Sequence, residues 1–190
     1  MKFTPTAIPE VVIVEPQVFG DHRGYFIESY NKQKFPEAYQ HLNFVQDNES
    51  KSTKGVLRGL HYQLPPFAQT KLVRVIEGEV LDIAVDIRKS SPTFGKHISV
   101  ALSGENKKQL LIPRGFAHGF VVLSKSAIFS YKCDNYYNVE HERGIVFNDP
   151  YLSIDWKLNK DELILSEKDK IQPTLQKATD LFDFNTNLYE

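Results

Sequence analysis

Apolar and polar residues alternate with a period of two through much of the chain. In Val80–Arg88, Leu81, Ile83, Val85 and Ile87 fall on one face, and Asp82, Asp86 and Arg88 on the other. In His97–Ser103, Ile98, Val100 and Leu102 alternate with His97, Ser99 and Ser103; in Ala127–Lys132, Ala127, Phe129 and Tyr131 share a side. Successive side chains of a strand point to opposite faces, so each run predicts a strand with one buried face. Glu77-Gly78-Glu79 lies between two such runs and reads as a hairpin turn. Helical periodicity is sparse. Asn31–Tyr39 predicts a short helix interrupted by Pro36, and Thr174–Phe182 a second, capped by Thr174, with Leu175, Ala178, Leu181 and Phe182 as its apolar stripe. Many short strands between turns predict an all-β sandwich or barrel with a few short helices, mainly C-terminal. A polar strand face in such a fold is either wet surface or the lining of a cavity for one small ligand.

Composition narrows the class. The 190 residues suit a single domain, 1–190, with the segment from about 160 to 190 packing on the barrel. A net charge of -1 gives no electrostatic footprint for nucleic acid or an anionic membrane, so phosphate binding would rest on a few placed arginines. Cys133 is the only cysteine, which excludes an internal disulfide and a cysteine-based zinc site and favours a reducing compartment. The apolar run Val11–Val14 is bounded by Glu10 and Glu15, shorter than the roughly 7–15 residues of a signal-peptide core. No stretch approaches the ~20 apolar residues of a membrane span. A cytoplasmic protein is expected.

Two segments carry candidate chemistry. In Arg58-Gly59-Leu60-His61-Tyr62-Gln63, strand geometry places Gly59, His61 and Gln63 on one face. A lone strand histidine is more often structural, so His61 gains weight only from company. The second segment is Ile112-Pro113-Arg114-Gly115-Phe116-Ala117-His118-Gly119-Phe120, whose Pro-x-Gly-x-x-His spacing resembles the second motif of the cupin superfamily, a jelly-roll barrel. In metal cupins the first motif supplies His-x-His and a later carboxylate. Here Gln63 and Lys71 stand in the corresponding places, and an ammonium has no lone pair for a metal, so no metal site is expected. A histidine and a lysine in one cavity suit proton abstraction next to a carbonyl. Neutral imidazole is the base, and the ammonium stabilises the enolate oxygen. Inversion at carbon also needs an acid on the opposite face, for which Tyr131 is the candidate; its other reading is a core aromatic. Asp169, in Ser166-Glu167-Lys168-Asp169, could orient His61 by holding its second nitrogen, although such a charged tetrapeptide is commonly a solvated loop.

Taken in order, these strings resemble the dTDP-4-dehydrorhamnose 3,5-epimerase family from about Phe3 to Leu175. The resemblance is carried by Asp21-His22-Arg23-Gly24-Tyr25-Phe26-Ile27-Glu28, Gln46-Asp47-Asn48, Gly55–Gln63, Lys71-Leu72-Val73-Arg74-Val75, Pro92-Thr93-Phe94-Gly95, Ile112–Phe120, Asn148-Asp149-Pro150 and Ser166–Asp169. It implies a cupin-like jelly roll, a homodimer and no cofactor. It also implies a nucleotide-sugar substrate, dTDP-4-dehydro-6-deoxy-D-glucose, inverted at C3 and C5 in dTDP-L-rhamnose synthesis. By motif position His61 resembles the family's proton acceptor and Tyr131 its proton donor. Lys71 resembles the group at the ketone oxygen, and Asp169 the partner of His61. Arg23, Glu28, Gln46, Asp47, Asn48, Arg58, His118, Glu142 and Lys168 fall where the family contacts its ligand. Arg23 and Arg58 suit a pyrophosphate, since guanidinium offers a planar fork of donors. Phe19, Tyr136 and Tyr137 are candidates for stacking on thymine. Glu49, Asn138 and Phe147 depart from the commonest family pattern, and none of them is a proposed proton-transfer group.

Overall fold

The computed structural model describes residues 1–190. In chain order the strands are β1 (Lys2–Pro5), β2 (Val12–Glu15), β3 (Val18–Asp21), β4 (Gly24–Ile27), β5 (Gln46–Thr53), β6 (Leu57–Gln63), β7 (Lys71–Glu77) and β8 (Glu79–Asp86). They continue as β9 (Arg88–Lys89), β10 (His97–Ser103), β11 (Gln109–Ile112), β12 (Phe116–Val122), β13 (Ser126–Cys133), β14 (Glu142–Gly144) and β15 (Phe182–Asp183). One sheet runs β1-β2-β11-β7-β13-β5 and the other β10-β8-β12-β6-β14, both antiparallel. This is the expected all-β, cupin-like jelly roll.

Three apolar layers follow from the alternation. Between the sheets lie Val73, Val75, Val80, Ala84, Ile98, Leu102, Phe120 and Phe129. The outer face of the five-stranded sheet presents Leu57, Leu60, Leu81, Ile83, Val85 and Ile87, covered by Phe147, Leu152, Trp156, Leu175 and Phe182 from the C-terminal third. The outer face of the six-stranded sheet presents Val12, Val14, Leu72 and Leu111, covered by Phe35 and Leu42. The apolar stripe of β8 therefore faces the C-terminal segment, and its polar stripe, Asp82 and Asp86, faces the barrel interior with no exposure. Neither reading of a polar strand face holds for these two acids: they are buried, outside the cavity lining, Asp82 against His118 and Asp86 against Arg88, Ser91 and Thr93.

Two expectations are corrected. Glu77-Gly78-Glu79 is a corner, not a hairpin: β7 pairs with β11 and β13, and β8 with β10 and β12, in the opposite sheet. Gly78 has φ +81° at this crossing, and a Cβ there would come within 2.1 Å of the Ser126 carbonyl. Alternation on both sides of a glycine is the same whether the chain folds back in one sheet or passes to another. Thr174–Phe182 makes a single turn, with Lys177 and Ala178 N–H donating to the Thr174 carbonyl, and then extends. The Asp180 carbonyl accepts from Tyr62 Oη at 2.8 Å and Phe182 pairs in parallel with Arg88, so contacts with the sheet override the local helical period. Asn31–Tyr39 forms two 3₁₀ turns, Lys32–Lys34 and Glu37–Tyr39, on either side of Pro36. The single α-helix, α1 (Glu167–Lys170), is one turn long.

Candidate active site

β6 and β12 run side by side, and where they meet both contain glycine. Gly59 has φ +122°, and a Cβ there would lie 2.5 Å from Gly119 Cα. The register slips by one residue at this point: His118 faces His61, whereas Phe120 faces Arg58. A bulge of this kind re-aims side chains. Strict alternation would put Arg58 and His61 on opposite faces; the bulge brings both to one cavity, while Leu57, Leu60 and Tyr62 join the outer layer.

The cavity has a volume of about 680 Å³ and is lined by His61, Lys71, His118, Tyr131 and Asp169, among others. α1 docks its buried Asp169 against β6. Ser166 caps the helix by accepting from Asp169 N–H, and His61 Nε2 lies 2.5 Å from Asp169 Oδ1. A carboxylate accepts only, so Nε2 carries the hydrogen and Nδ1 is left with the lone pair. Burial pushes the Asp169 carboxyl up, but the hydrogen bond and charge of His61, with Ser166 and Lys168, outweigh it and hold the group below the usual carboxylate range. Asp169 is 3% exposed, which excludes the solvated-loop reading.

Lys71 opens β7, and its ammonium lies 5.9 Å from the centre of the Tyr131 ring. Burial lowers the Lys71 pKa, against the pull of Cys133, Glu142 and Asp82. Burial also raises the Tyr131 hydroxyl pKa, which keeps a proton on the phenol. His118 is buried and stacks over Phe129 with ring centres 6.2 Å apart. Its Nε2 is 3.0 Å from both oxygens of Asp82. Asp82 was not foreseen in this role; its signal was its position on the polar face of an otherwise apolar strand.

The other predicted ligand contacts divide. Arg58 lines the cavity, with Nε and Nη2 each 3.3 Å from Ser52 Oγ. Glu142 accepts from Tyr137 Oη at 3.1 Å and from Lys168 Nζ at 2.8 Å at the rim. Burial raises the Glu142 pKa, but Lys168 and His61 bring it below the usual value. Gln46 and Asn48 join through a 3.0 Å hydrogen bond, and Gln46 Oε1 accepts from Tyr137 N–H. Asp47 points to the opposite face of β5 and pairs with Lys132 at 2.8 Å. Arg23 sits on the β3–β4 hairpin, paired with Asp21, and Glu28 pairs with Lys34 at 2.7 Å. Those three do not line the cavity of their own chain. Phe19 lies on the same hairpin; it, Tyr136 and Tyr137 are all exposed. Gln63 is a loop clamp: its Nε2 donates to the Phe67 and Tyr136 carbonyls and its Oε1 accepts from Asn138 N–H. No three His, Cys, Asp or Glu side chains converge as a ligand set.

A jelly roll whose interior holds a carboxylate-backed histidine, a lysine and a phenol defines a class: cupin-like barrels equipped to move protons at carbon. The chain belongs to the dTDP-4-dehydrorhamnose 3,5-epimerase family, whose model matches residues 5–177. It is 59% identical to the dTDP-4-dehydrorhamnose 3,5-epimerase of Shigella flexneri over 170 residues, 89% of this chain and 93% of that one. It is also 59% identical to that of Pseudomonas aeruginosa, over 90% and 93% of the two chains. The crystal structure of dTDP-6-deoxy-D-glucose-3,5-epimerase from Legionella pneumophila with dTDP-4-keto-L-rhamnose superposes with a TM-score of 0.92. It is 49% identical, over 97% of this chain and 99% of that one.

Proposed function

We propose that the protein is a dTDP-4-dehydrorhamnose 3,5-epimerase that converts dTDP-4-dehydro-6-deoxy-D-glucose to dTDP-4-dehydro-L-rhamnose for dTDP-L-rhamnose synthesis. The observation that carries the reading is the meeting of His61–Asp169, Lys71 and Tyr131 in one cavity. His61 Nδ1 takes the proton from the carbon beside the C4 ketone, and the C–H electron pair moves into an enolate. The Lys71 ammonium stabilises the oxyanion, while Asp169 balances the imidazolium. Tyr131 delivers its phenolic proton to the other face of the carbon, the ketone re-forms with that carbon inverted, and solvent resets both groups. The cycle repeats at the second carbon. The scheme uses only side chains of this chain, with no cofactor.

Arg58 suits the pyrophosphate, and binding energy from the nucleotide, remote from the reacting carbons, positions the sugar. The same reading includes a homodimer in which Arg23, Glu28 and Phe19 reach the partner's cavity. In support, the β3–β4 hairpin pairs only with itself and exposes Phe19, Tyr25 and Phe26. It also includes a cytoplasmic location, with which the lone buried thiol of Cys133 agrees. No helix is long and apolar enough to cross a membrane.

The test is isotope exchange. Protein stripped of metal is incubated with dTDP-4-keto-6-deoxyglucose in D₂O, and deuterium is located by NMR. Label at C3 and C5 with inversion is the expected result. Label at one carbon means a mono-epimerase, turnover only after metal is added overturns the side-chain scheme, and no label under any condition leaves a binding protein.

A further inference from the structure

The family match ends at residue 177, yet the last residues of the chain are built into the floor of the barrel. Phe182 is buried and borders the small interior gap lined also by His61, Lys71, Phe116 and His118. Phe184 lies against Arg88, whose guanidinium is 5.0 Å from its ring centre and 4.6 Å from that of Phe116. Tyr189 ends the strap. Its hydroxyl is 2.9 Å from Thr70 Oγ1, the residue before Lys71, and its ring lies 4.8 Å from the Arg114 guanidinium and edge-on to His41 at 4.7 Å. Arg114 Nη1 donates to the Leu188 carbonyl at 2.6 Å and Nε to Asp134 Oδ2 at 3.1 Å. Asp134 in turn accepts from Thr70 N–H at 2.6 Å and donates its own N–H to the Thr70 carbonyl at 3.1 Å. Thr70 and Asp134 therefore form a closed clamp at the point where Lys71 enters β7 and Cys133 leaves β13, and the strap ties that clamp to the β11–β12 turn through Arg114.

The geometry points to a further role: Tyr189 is a positioning residue for Lys71, acting through Thr70 and the Arg114–Asp134 pair. This rests on the epimerase reading above. Lysine has four rotatable side-chain bonds, so the place of its ammonium depends on a fixed backbone origin and a packed stem. Tyr189 supplies the first by holding Thr70, and Phe182 contributes to the second as one wall of the small gap that Lys71 also lines. An oxyanion-stabilising group works only if it is in place before charge develops, and small displacements cost rate rather than affinity. Thr70, Arg114, Asp134 and Tyr189 do not line the cavity that holds Arg58, so nucleotide binding is not routed through the clamp.

The test compares the parent with Tyr189→Phe and Tyr189→Ala in the 190-residue chain. Turnover and deuterium exchange are read by NMR with dTDP-4-keto-6-deoxyglucose, dTDP affinity by calorimetry, and folding by thermal melt. Tyr189→Ala should lower kcat about 10- to 100-fold with the dTDP Kd within about twofold of the parent. Tyr189→Phe, which keeps the ring and loses the hydroxyl bridge, should fall between. If both variants keep the parent kcat, the inference is overturned. If kcat and dTDP affinity fall together with the melting temperature, Tyr189 is a general stabiliser and the inference is equally overturned. Absence of exchange in the parent would instead sink the epimerase reading itself.

Discussion

Replacing Asp169 by asparagine changes charge with almost no change in volume. The amide oxygen can still accept from His61 Nε2–H at the 2.5 Å contact, so the ring can keep its orientation and leave Nδ1 free. What is lost is the countercharge to the imidazolium that forms when Nδ1 takes a proton. A hydrogen bond to a charged group contributes about 1.5–3 kcal/mol against about 0.5–1.5 for a neutral one. Two unit charges about 4 Å apart in an effective dielectric of about 20 attract by about 4 kcal/mol, which bounds the effect from above. Asp169 is buried, so solvent screens little of this, while Glu142 also acts on His61 and offsets part of the loss. A barrier increase of about 2–4 kcal/mol, or roughly 30- to 1,000-fold in rate, is expected. If the amide turns its NH₂ toward Nε2, the opposite tautomer is enforced and the loss is larger. Single-turnover deuterium incorporation at C3 and C5 measures the rate, and calorimetry with dTDP measures binding. A loss under about threefold, or an equal loss of dTDP affinity, would refute the role assigned to Asp169.

Lys71→Met should abolish exchange at both carbons yet raise the melting temperature near neutral pH. Burial depresses the Lys71 pKa in the fold, so the charged form costs stability below that pKa and the cost is relieved as pH rises toward the ordinary lysine value; Met removes the charge altogether. A lowered melting temperature in that variant would contradict the burial argument. Tyr131→Phe should slow inversion while leaving solvent exchange at the carbon facing His61, read by mass and NMR on recovered substrate; equal loss of both would remove Tyr131 from the opposite face. Asp86 is buried, which raises its pKa, but hydrogen bonds from Arg88, Ser91 and Thr93 hold it below the ordinary carboxylate value. Its stabilising contribution is therefore complete above the unfolded pKa and lost as pH falls through the folded one. Asp86→Asn should flatten that acid limb and cost about 1–3 kcal/mol near neutrality, measured by urea unfolding between pH 2 and 7.

Much of the site was legible because chemistry and spacing travel together in short strings. His61, Lys71, Tyr131 and Asp169 were named from residue type and motif, and the fold brings all four to one cavity. Parity of β5 places Gln46 and Asn48 together and excludes Asp47, a separation already implicit in the period-2 rule. Asp82 was visible as an acid on an apolar strand, but a burial pattern does not say which buried partner it meets.

The sequence by itself determined that the chain is a set of short, one-faced strands, because backbone pleating turns alternation directly into two faces. It also determined the site's chemical inventory, which depends only on side-chain identity. The tertiary structure decided which face was inside, since both faces of β8 are buried, one against the barrel interior and one against the C-terminal third. It decided that Gly78 turns between sheets and that Thr174–Phe182 extends, because sheet partners far along the chain outweigh local period. It placed Arg58 beside His61 through a bulge whose only trace in the chain is a pair of glycines sixty residues apart, since register is set by the pairing of two strands and belongs to neither alone.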